Sequence, residues 1–324
     1  RQNCYGSAGV RTPNLDRLAA EGMRFDRAYC QYPVCNPSRS SLLTGLRPET
    51  TGILSNTTPL RSRLPHTVTL PQCFKQQGYW TGGVNKVFHE PQGEQDRAWS
   101  AYVRLSDTHN PVIEAARRAF EREHGAVDGA ANRSAWREKV ESLREAAAGQ
   151  TPPGIGPTDM SDDQQADGRA VRQVLQWLEG KAHGDQPFFI ACGLARPHIP
   201  YWAPRKYFEL YPPASLVFDP QPNDDLEDVP AAAINPRRRY YAEQGPGDAV
   251  RREFTAAYYA CVTYIDAQVG LILDALRRLE LWDHTVVVFT SDHGYLLGEH
   301  GLWEKGMLFE ASARVPLLMR VPGK

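Results

Sequence analysis

The clearest periodicity lies late in the chain. Phe254, Tyr258, Cys261, Ile265, Val269, Ile272 and Leu276 recur at steps of three and four, which predicts one long helix with a continuous apolar stripe. It feeds Thr285-Val-Val-Val-Phe-Thr290, a β-branched run that predicts a buried strand, and that strand leads into Ser291-Asp292-His293-Gly294. Similar units occur earlier. Thr12 is placed to cap a helix with Pro13 at its first position and Gly22 as its stop, and a short strand is expected from Met23 to Tyr29. Thr69 to Gln77, closed by Gly78, predicts a second helix before a strand at Tyr79 to Val84. A helix from about Asp163 to Glu179 then precedes the apolar strand Pro187 to Gly193, and Val315 to Val321 reads as a last strand entering a turn. Strands alternating with helices predict an α/β fold. Its large, mainly parallel sheet would be buried between helices on both faces, with functional groups at the carboxyl ends of the strands.

Two stretches interrupt the alternation. Glu114, Arg117, Arg118, Glu121, Arg122 and Glu123, then Arg137, Glu138, Lys139, Glu141, Arg144 and Glu145, mark two charged helices. They read as a solvated insertion at about 97–165, ended by the breaker cluster Thr151-Pro-Pro-Gly-Ile-Gly-Pro157. Residues 212–248, rich in Pro, Asp and Gly, read as irregular surface chain. The remaining pattern is read as one domain over 1–324. Lys plus Arg number 37 and Asp plus Glu 38, a net −1, which argues against nucleic acid as a partner. The mean hydropathy is −0.50, and no membrane span is expected. Six Cys (4, 30, 35, 73, 192 and 261) show no CxxC pairing, so most should be buried thiols. Arg1 follows no initiator Met or signal pattern, and the chain is read as truncated at both ends.

Chemistry concentrates first in Tyr32-Pro-Val-Cys35-Asn-Pro37-Ser38-Arg39, continuing to Leu43-Thr44-Gly45-Leu46-Arg47. Cys35 stands where a helix would begin at Pro37, so its side chain faces unpaired N–H groups and the positive end of a dipole. Arg39, one turn on, is in reach of the same point as a fixed cation. A lone Cys in a Pro-bounded turn is ordinarily a buried thiol. Here Cys-x-Pro-Ser-Arg followed by Leu-Thr-Gly resembles the signature of type I sulfatases, of the alkaline phosphatase-like superfamily. The resemblance implies that Cys35 is oxidised to formylglycine by a formylglycine-generating enzyme. The hydrated aldehyde would then attack the sulfur of a sulfate ester. Leu46 stands where the family usually has Arg, with Arg47 next.

Three further segments match the family in order. Asn85-Lys86-Val-Phe-His89 resembles an element of iduronate-2-sulfatase-like members in which the Lys contacts sulfate and nucleophile. Arg196-Pro-His198-Ile-Pro-Tyr resembles another, whose His touches the sulfate ester. Ser291-Asp292-His293-Gly294, Gly298-Glu-His300-Gly and Trp303-Glu-Lys305 complete the set. A carboxylate and an imidazole at a strand end, before Gly, suit a divalent cation. The resemblance assigns Asp292, His293 and the formylglycine from Cys35 to the metal and makes Lys305 a second cation on the sulfate. His300 receives no role. The family's Asp-Asp pair on a first strand and its C-terminal subdomain are not matched here, and Asp16 is read as an exposed helix charge rather than a substitute. The chain as it stands is therefore expected to bind Ca²⁺ poorly and to be inactive.

The implied mechanism uses formylglycine as nucleophile. The metal and Arg39 lower its pKa, Lys86, His198 and Lys305 clamp the oxygens, His198 or Lys305 protonates the leaving alcohol, and His89 takes the diol proton that restores the aldehyde. Ca²⁺ is the expected ion and Mg²⁺ the alternative. A sulfated sugar or glycosaminoglycan fragment is the expected substrate, chosen by the loops at 97–165 and 212–248. Rival readings are a phosphomonoester or phosphonate hydrolase of the same superfamily and a non-catalytic carbohydrate-binding relic. Asn56-Thr-Thr and Asn132-Arg-Ser fit the glycosylation triplet. Family habit points to an exported enzyme, periplasmic or extracellular in bacteria and lysosomal in animals.

Overall fold

A computed structural model describes residues 2–7, 9–89, 93–105, 111–127, 129, 131–148, 155–218, 222, 224–234 and 248–323. Helix α1 covers Pro13–Ala20, strand β1 Met23–Arg24, α2 Cys35–Thr44 and α3 Leu70–Gln76. Strands β2 (Trp80–Asn85) and β3 (Ala101–Val103) precede the charged helices α4 (Pro111–His124) and α5 (Arg133–Ala148). Then follow β4 (Ile155–Thr158), α6 (Ala166–Glu179), β5 (Phe188–Gly193), β6 (Tyr201–Pro204) and α7 (Asp248–Arg278). The chain closes with β7 (Val287–Thr290), the hairpin β8 (Leu296–Leu297) and β9 (Trp303–Glu304), and β10 (Leu317–Arg320).

The strands β3-β2-β5 form a parallel sheet, and β4 and β6 form a parallel pair. The third group differs from the parallel expectation, because β10 lies antiparallel between β1 and β7. Between β7 and β10 the chain makes only a hairpin and a four-residue helix, and no long crossover helix of the kind that usually carries a parallel return. The expected strand Met23 to Tyr29 shortens to β1, followed by an isolated bridge from Tyr29 to Arg314. Burial on both faces is also only partial: β7 alternates in and out, leaving Val288 51% exposed. The mixed α/β architecture is otherwise the one read from the alternation.

Helix α7 is the central element. Tyr258, Cys261, Tyr264, Ile265, Val269 and Leu273 bury against α1, α6 and β6, joined by Leu15, Leu18, Tyr201 and Tyr207. By length and composition this helix passes for a membrane span, contrary to the sequence reading, but 83% of its apolar window is buried inside the protein. The apolar residues that resemble a lipid-facing surface are facing other elements of the core. In β2, a Cβ on Gly83 would lie 2.6 Å from the Trp99 ring. An aromatic side chain thus lies directly over the backbone there, and only glycine leaves room.

The start of α1 was only partly legible. Thr12 is the residue before the helix, yet its hydroxyl accepts from Asn3 N (2.9 Å) and donates to Asp16 Oδ1 (3.1 Å). The first-turn amides of Asn14 (3.1 Å) and Leu15 (2.8 Å) instead donate to the buried Asp266 carboxylate of α7, as does Asn14 Nδ2 at 2.9 Å. Burial pushes the Asp266 carboxyl above its ordinary range, against the pull of these donors. Asp16 is not the free surface charge expected. It is half-buried and accepts from Cys4 N and Asn3 Nδ2, both at 2.9 Å, anchoring the amino-terminal turn.

Within 97–165, β3 and β4 are paired strands, so we take the inserted piece to be α4 and α5 between them. Thr151 to Gly154 of the breaker cluster and residues 235–247 of the irregular segment lie outside the described residues. The amide nitrogen is engaged in only one of the two glycosylation triplets, that of Asn132. Asn56 Oδ1 accepts from Asn36 N at 2.9 Å, and Asn132 Nδ2 donates to His124 O (2.7 Å) and Ala126 O (3.1 Å).

Replacing Asp266 with Ala orphans buried first-turn donors of α1. The expected cost is on the order of 3 kcal/mol, because each unsatisfied buried donor loses about 1–3 kcal/mol. Chemical denaturation compared with wild type measures it, and an unchanged midpoint would contradict this capping role.

Candidate active site

Helix α2 begins at Cys35 itself, two residues earlier than the sequence suggested, with Val34 as its extended N-cap. Pro37 contributes no N–H, and the Asn36 N–H is taken by Asn56 Oδ1. Asn36 Nδ2 donates to Ser55 O (2.9 Å) and Thr58 O (2.8 Å), pinning the 55–58 turn against the start of the helix. Nothing in the local pattern pointed to Asn36 or Asn56, since their partners lie about twenty residues apart. The result is a rigid seat for Cys35, which is 2% exposed.

The Cys35 sulfur is the point of convergence. His293 Nε2 lies 3.3 Å away and Lys305 Nζ donates to it at 3.2 Å, while His198 and His89 also hydrogen-bond it. Burial alone would raise this thiol's pKa, but the bonds from His198, His293 and His89 and the Lys305 charge outweigh it and hold the thiol far below its ordinary value. His293 Nδ1 lies 2.7 Å from Gly294 O. A carbonyl only accepts, so Nδ1 carries a proton and Nε2 is the atom turned to the sulfur.

Asp292, at the carboxyl end of β7, pairs with Arg39 through Oδ2 to Nε at 2.9 Å, both side chains being largely buried. Arg39 also donates to Lys86 O and, at 3.0 Å, to Val87 O, while Ser38 Oγ donates to Asp292 O. The sequence reading had Arg39 reaching back to the Cys35 anion; the structure shows these donors engaged by Asp292 and the loop after β2. Those oxygens lie within reach of the side chain and compensate a guanidinium removed from water. Burial raises the Asp292 carboxyl, yet Arg39 and then His293 hold it below its usual range.

Lys86 follows Asn85, a non-glycine residue with φ 55° at the end of β2. Asn85 Oδ1 accepts from Leu105 N at 2.6 Å and its carbonyl from Tyr102 Oη at 2.9 Å, which fixes the left-handed turn. Burial pushes the Lys86 amine down; Arg39 and Lys305 push the same way, Cys35 and Asp292 oppose them. His89 Nδ1 is buried without a hydrogen-bond partner among the described residues. His198 sits on the turn between β5 and β6, its Nδ1 2.7 Å from Ile199 O. Lys305 follows the β8–β9 hairpin, in which Glu304 takes φ 70°. His300, unassigned from sequence, bonds Asp225 Oδ2 through Nδ1 at 2.8 Å and stacks on Phe309.

Cys35, Lys86, His89, His198, His293 and Lys305 thus meet around one sulfur, with Arg39 and Asp292 paired beside it. Ligand atoms of Cys35, Asp292 and His293 lie within 4.8 Å of one another. One carboxylate, one imidazole nitrogen turned inward and the group at residue 35 fit a divalent cation. The three donors do not by themselves make the set of 6–8 oxygens that Ca²⁺ takes.

A family model described as Sulfatase matches residues 2–324. A sulfatase of Formosa agariphila is 33% identical over 330 residues, covering 97% of this chain and 60% of the relative. The iduronate 2-sulfatase of Homo sapiens is 34% identical over 342 residues, covering 99% of this chain and 57% of the relative. The chain therefore spans about 60% of the length of these curated relatives. Among solved structures, the phosphonate monoester hydrolase of Agrobacterium radiobacter matches with a TM-score of 0.71 at 23% identity, over 99% of this chain and 65% of that one. That likeness is one of fold, the alkaline phosphatase-like α/β architecture.

Asn85→Val puts a β-branched residue into the left-handed region and removes the bond to Leu105. A loss on the order of 2 kcal/mol is expected, with Asn85→Gly costing less because it is free of the backbone strain. Thermal unfolding of the two variants measures the order, and equal losses would contradict the strain argument.

Proposed function

We propose that this chain, which belongs to the sulfatase family, carries the active site of an enzyme that hydrolyses a sulfate monoester on a sugar, with residue 35 as nucleophile. One observation carries this reading: the Cys35 sulfur is buried among three imidazoles and the Lys305 ammonium. A structural thiol needs none of these neighbours, and withdrawing them from water is costly unless an anion repays it. The sulfuryl group of an ester is such an anion.

Oxidised to formylglycine by a dedicated generating enzyme, residue 35 supplies a hydroxyl nucleophile from its hydrated aldehyde. Lys86 and Lys305 hold charge on the sulfuryl oxygens as the bond to the alcohol breaks, fixed in place before the reaction begins. His198 keeps Nδ1 on the Ile199 carbonyl, so Nε2 is the atom that passes a proton to the departing alcohol. His89 accepts the proton released when the aldehyde is restored. Arg39 orients Asp292, and the two together join α2 to β7. A divalent cation held by Asp292, His293 and the oxygen of residue 35 would polarise the ester; we take Ca²⁺ as the ion, with Mg²⁺ the alternative.

The similarity to iduronate 2-sulfatase supports a sulfated sugar or glycosaminoglycan fragment as substrate. Such polymers are met outside the cytoplasm or in lysosomes, which favours an exported enzyme. Selection among sugars would fall to the loops at 97–165 and 212–248, and Asp225 of the latter touches the hairpin leading to Lys305 through His300. A second reading follows from the fold shared with a phosphonate monoester hydrolase. The same cations would hold a phosphonyl group.

In the full-length gene product made alongside a formylglycine-generating enzyme, the peptide with Cys35 should appear as the aldehyde, lighter than the thiol. Mass spectrometry measures this, and an active sulfatase containing thiol alone would remove the proposed nucleophile. Lys86→Ala or His198→Ala should lower kcat on an aryl sulfate by on the order of 10². Faster turnover of a phosphonate monoester than of any sulfate would favour the second reading.

A further inference from the structure

His198 lies on the turn 194–200, outside any strand ladder, where its backbone needs other partners to hold a fixed position. Those partners converge on one side chain. Asp167, in the first turn of α6 and 1% exposed, accepts from Ala195 N through Oδ1 at 2.7 Å and from Arg196 N through Oδ2 at 2.9 Å. The His198 N–H then donates to Ala195 O at 2.9 Å. An unbroken hydrogen-bonded path therefore runs from Asp167 through the Ala195 peptide to the backbone of the histidine. Arg196, itself buried, ties the far side of the turn to Trp202 O through Nε at 3.1 Å.

The geometry points to Asp167 as a positioning residue for His198: its carboxylate clamps two consecutive amides and so sets where the imidazole meets the nucleophile. A carboxylate suits the task because both of its oxygens only accept, matching two parallel N–H donors. The amino end of α6 favours the negative charge at that point. Sequence reasoning read Asp167 only as part of a helix, since its partners lie 28 and 29 residues away. Asp167 does not touch the nucleophile, and its influence passes through the turn. The inference rests on the sulfatase reading for its kinetic readout, but has a second readout that does not.

The test is Asp167→Asn in the full-length gene product, which keeps the shape but turns an NH₂ toward one of the two amides. The kcat on an aryl sulfate should fall about tenfold or more with KM changed much less, because a small displacement of a reacting group costs rate rather than binding. In a His198→Ala background the same substitution should cost nothing further, since the group it positions is gone. The imidazole ¹⁵N signals of His198 should shift in Asp167→Asn whether or not the protein turns over sulfate. Asp167→Glu, which keeps both oxygens on a longer arm, is the second variant should Asp167→Asn fail to fold, and is expected to lower kcat likewise. Wild-type kcat in either variant, additive losses with His198→Ala, or unmoved His198 signals would overturn the proposal. Absence of sulfate turnover in the wild type would instead sink the functional reading and leave the imidazole signals to judge the clamp.

Discussion

The site depends on keeping like charges together out of water. Lys86, Lys305 and Arg39 gather around Asp292 and the Cys35 sulfur, which are the opposing groups. The Arg39–Asp292 pair is the joint between them. It fastens the first turns of α2 to the end of β7, and through the carbonyls of Lys86 and Val87 it fastens both to the loop after β2. A buried pair of this kind adds little net stability compared with apolar packing, but leaving either partner alone is costly. Its presence fits a site whose geometry matters more than its contribution to folding.

The fold brings five loops to that joint without drawing on a single long motif. Asn85 turns the chain at the end of β2, and β5 ends against it: a Cβ on Gly193 would lie 2.5 Å from the Lys86 carbonyl carbon. The ends of these neighbouring parallel strands therefore deliver Lys86 and the His198 turn side by side, as open α/β sheets commonly do at the carboxyl edge. The antiparallel return of β10 has a different consequence. It leaves the connection after β7 without a crossover helix, so the hairpin that precedes Lys305 stays on the side of the sheet where Asp292 lies.

Stability and function are arranged around α7. Its apolar stripe buries most of the core, while Asp266 on the same helix caps α1 and Tyr264 Oη accepts from Gly168 N beside the Asp167 clamp. A helix buried on nearly every side reads as hydrophobic all round, which is why composition alone equates it with a membrane span. Burial against α1, α6 and β6 distinguishes the two.

The helices α3, α6 and α7 and the strands β2 and β5 were legible because periodicity, Gly stops and Thr or Pro starts are local signals, carried within a few residues. The residues around Cys35 were legible for another reason: each sits in a short motif that resembles one of the sulfatase family, whereas taken alone a Lys and a His in a loop read as ordinary surface residues. Contacts between distant segments were not legible. That Arg39 would pair with Asp292, that Asn56 would cap α2, that Asp266 rather than Thr12 would cap α1, and that β10 would run antiparallel all depend on groups separated by 20 to 253 residues. Local sequence determined which segments are helix or strand and, through the family resemblance, which residues are proposed for the chemistry. Tertiary structure alone decided which donors meet which acceptors, because a hydrogen bond depends on position in space and the chain's local pattern records only neighbours along it.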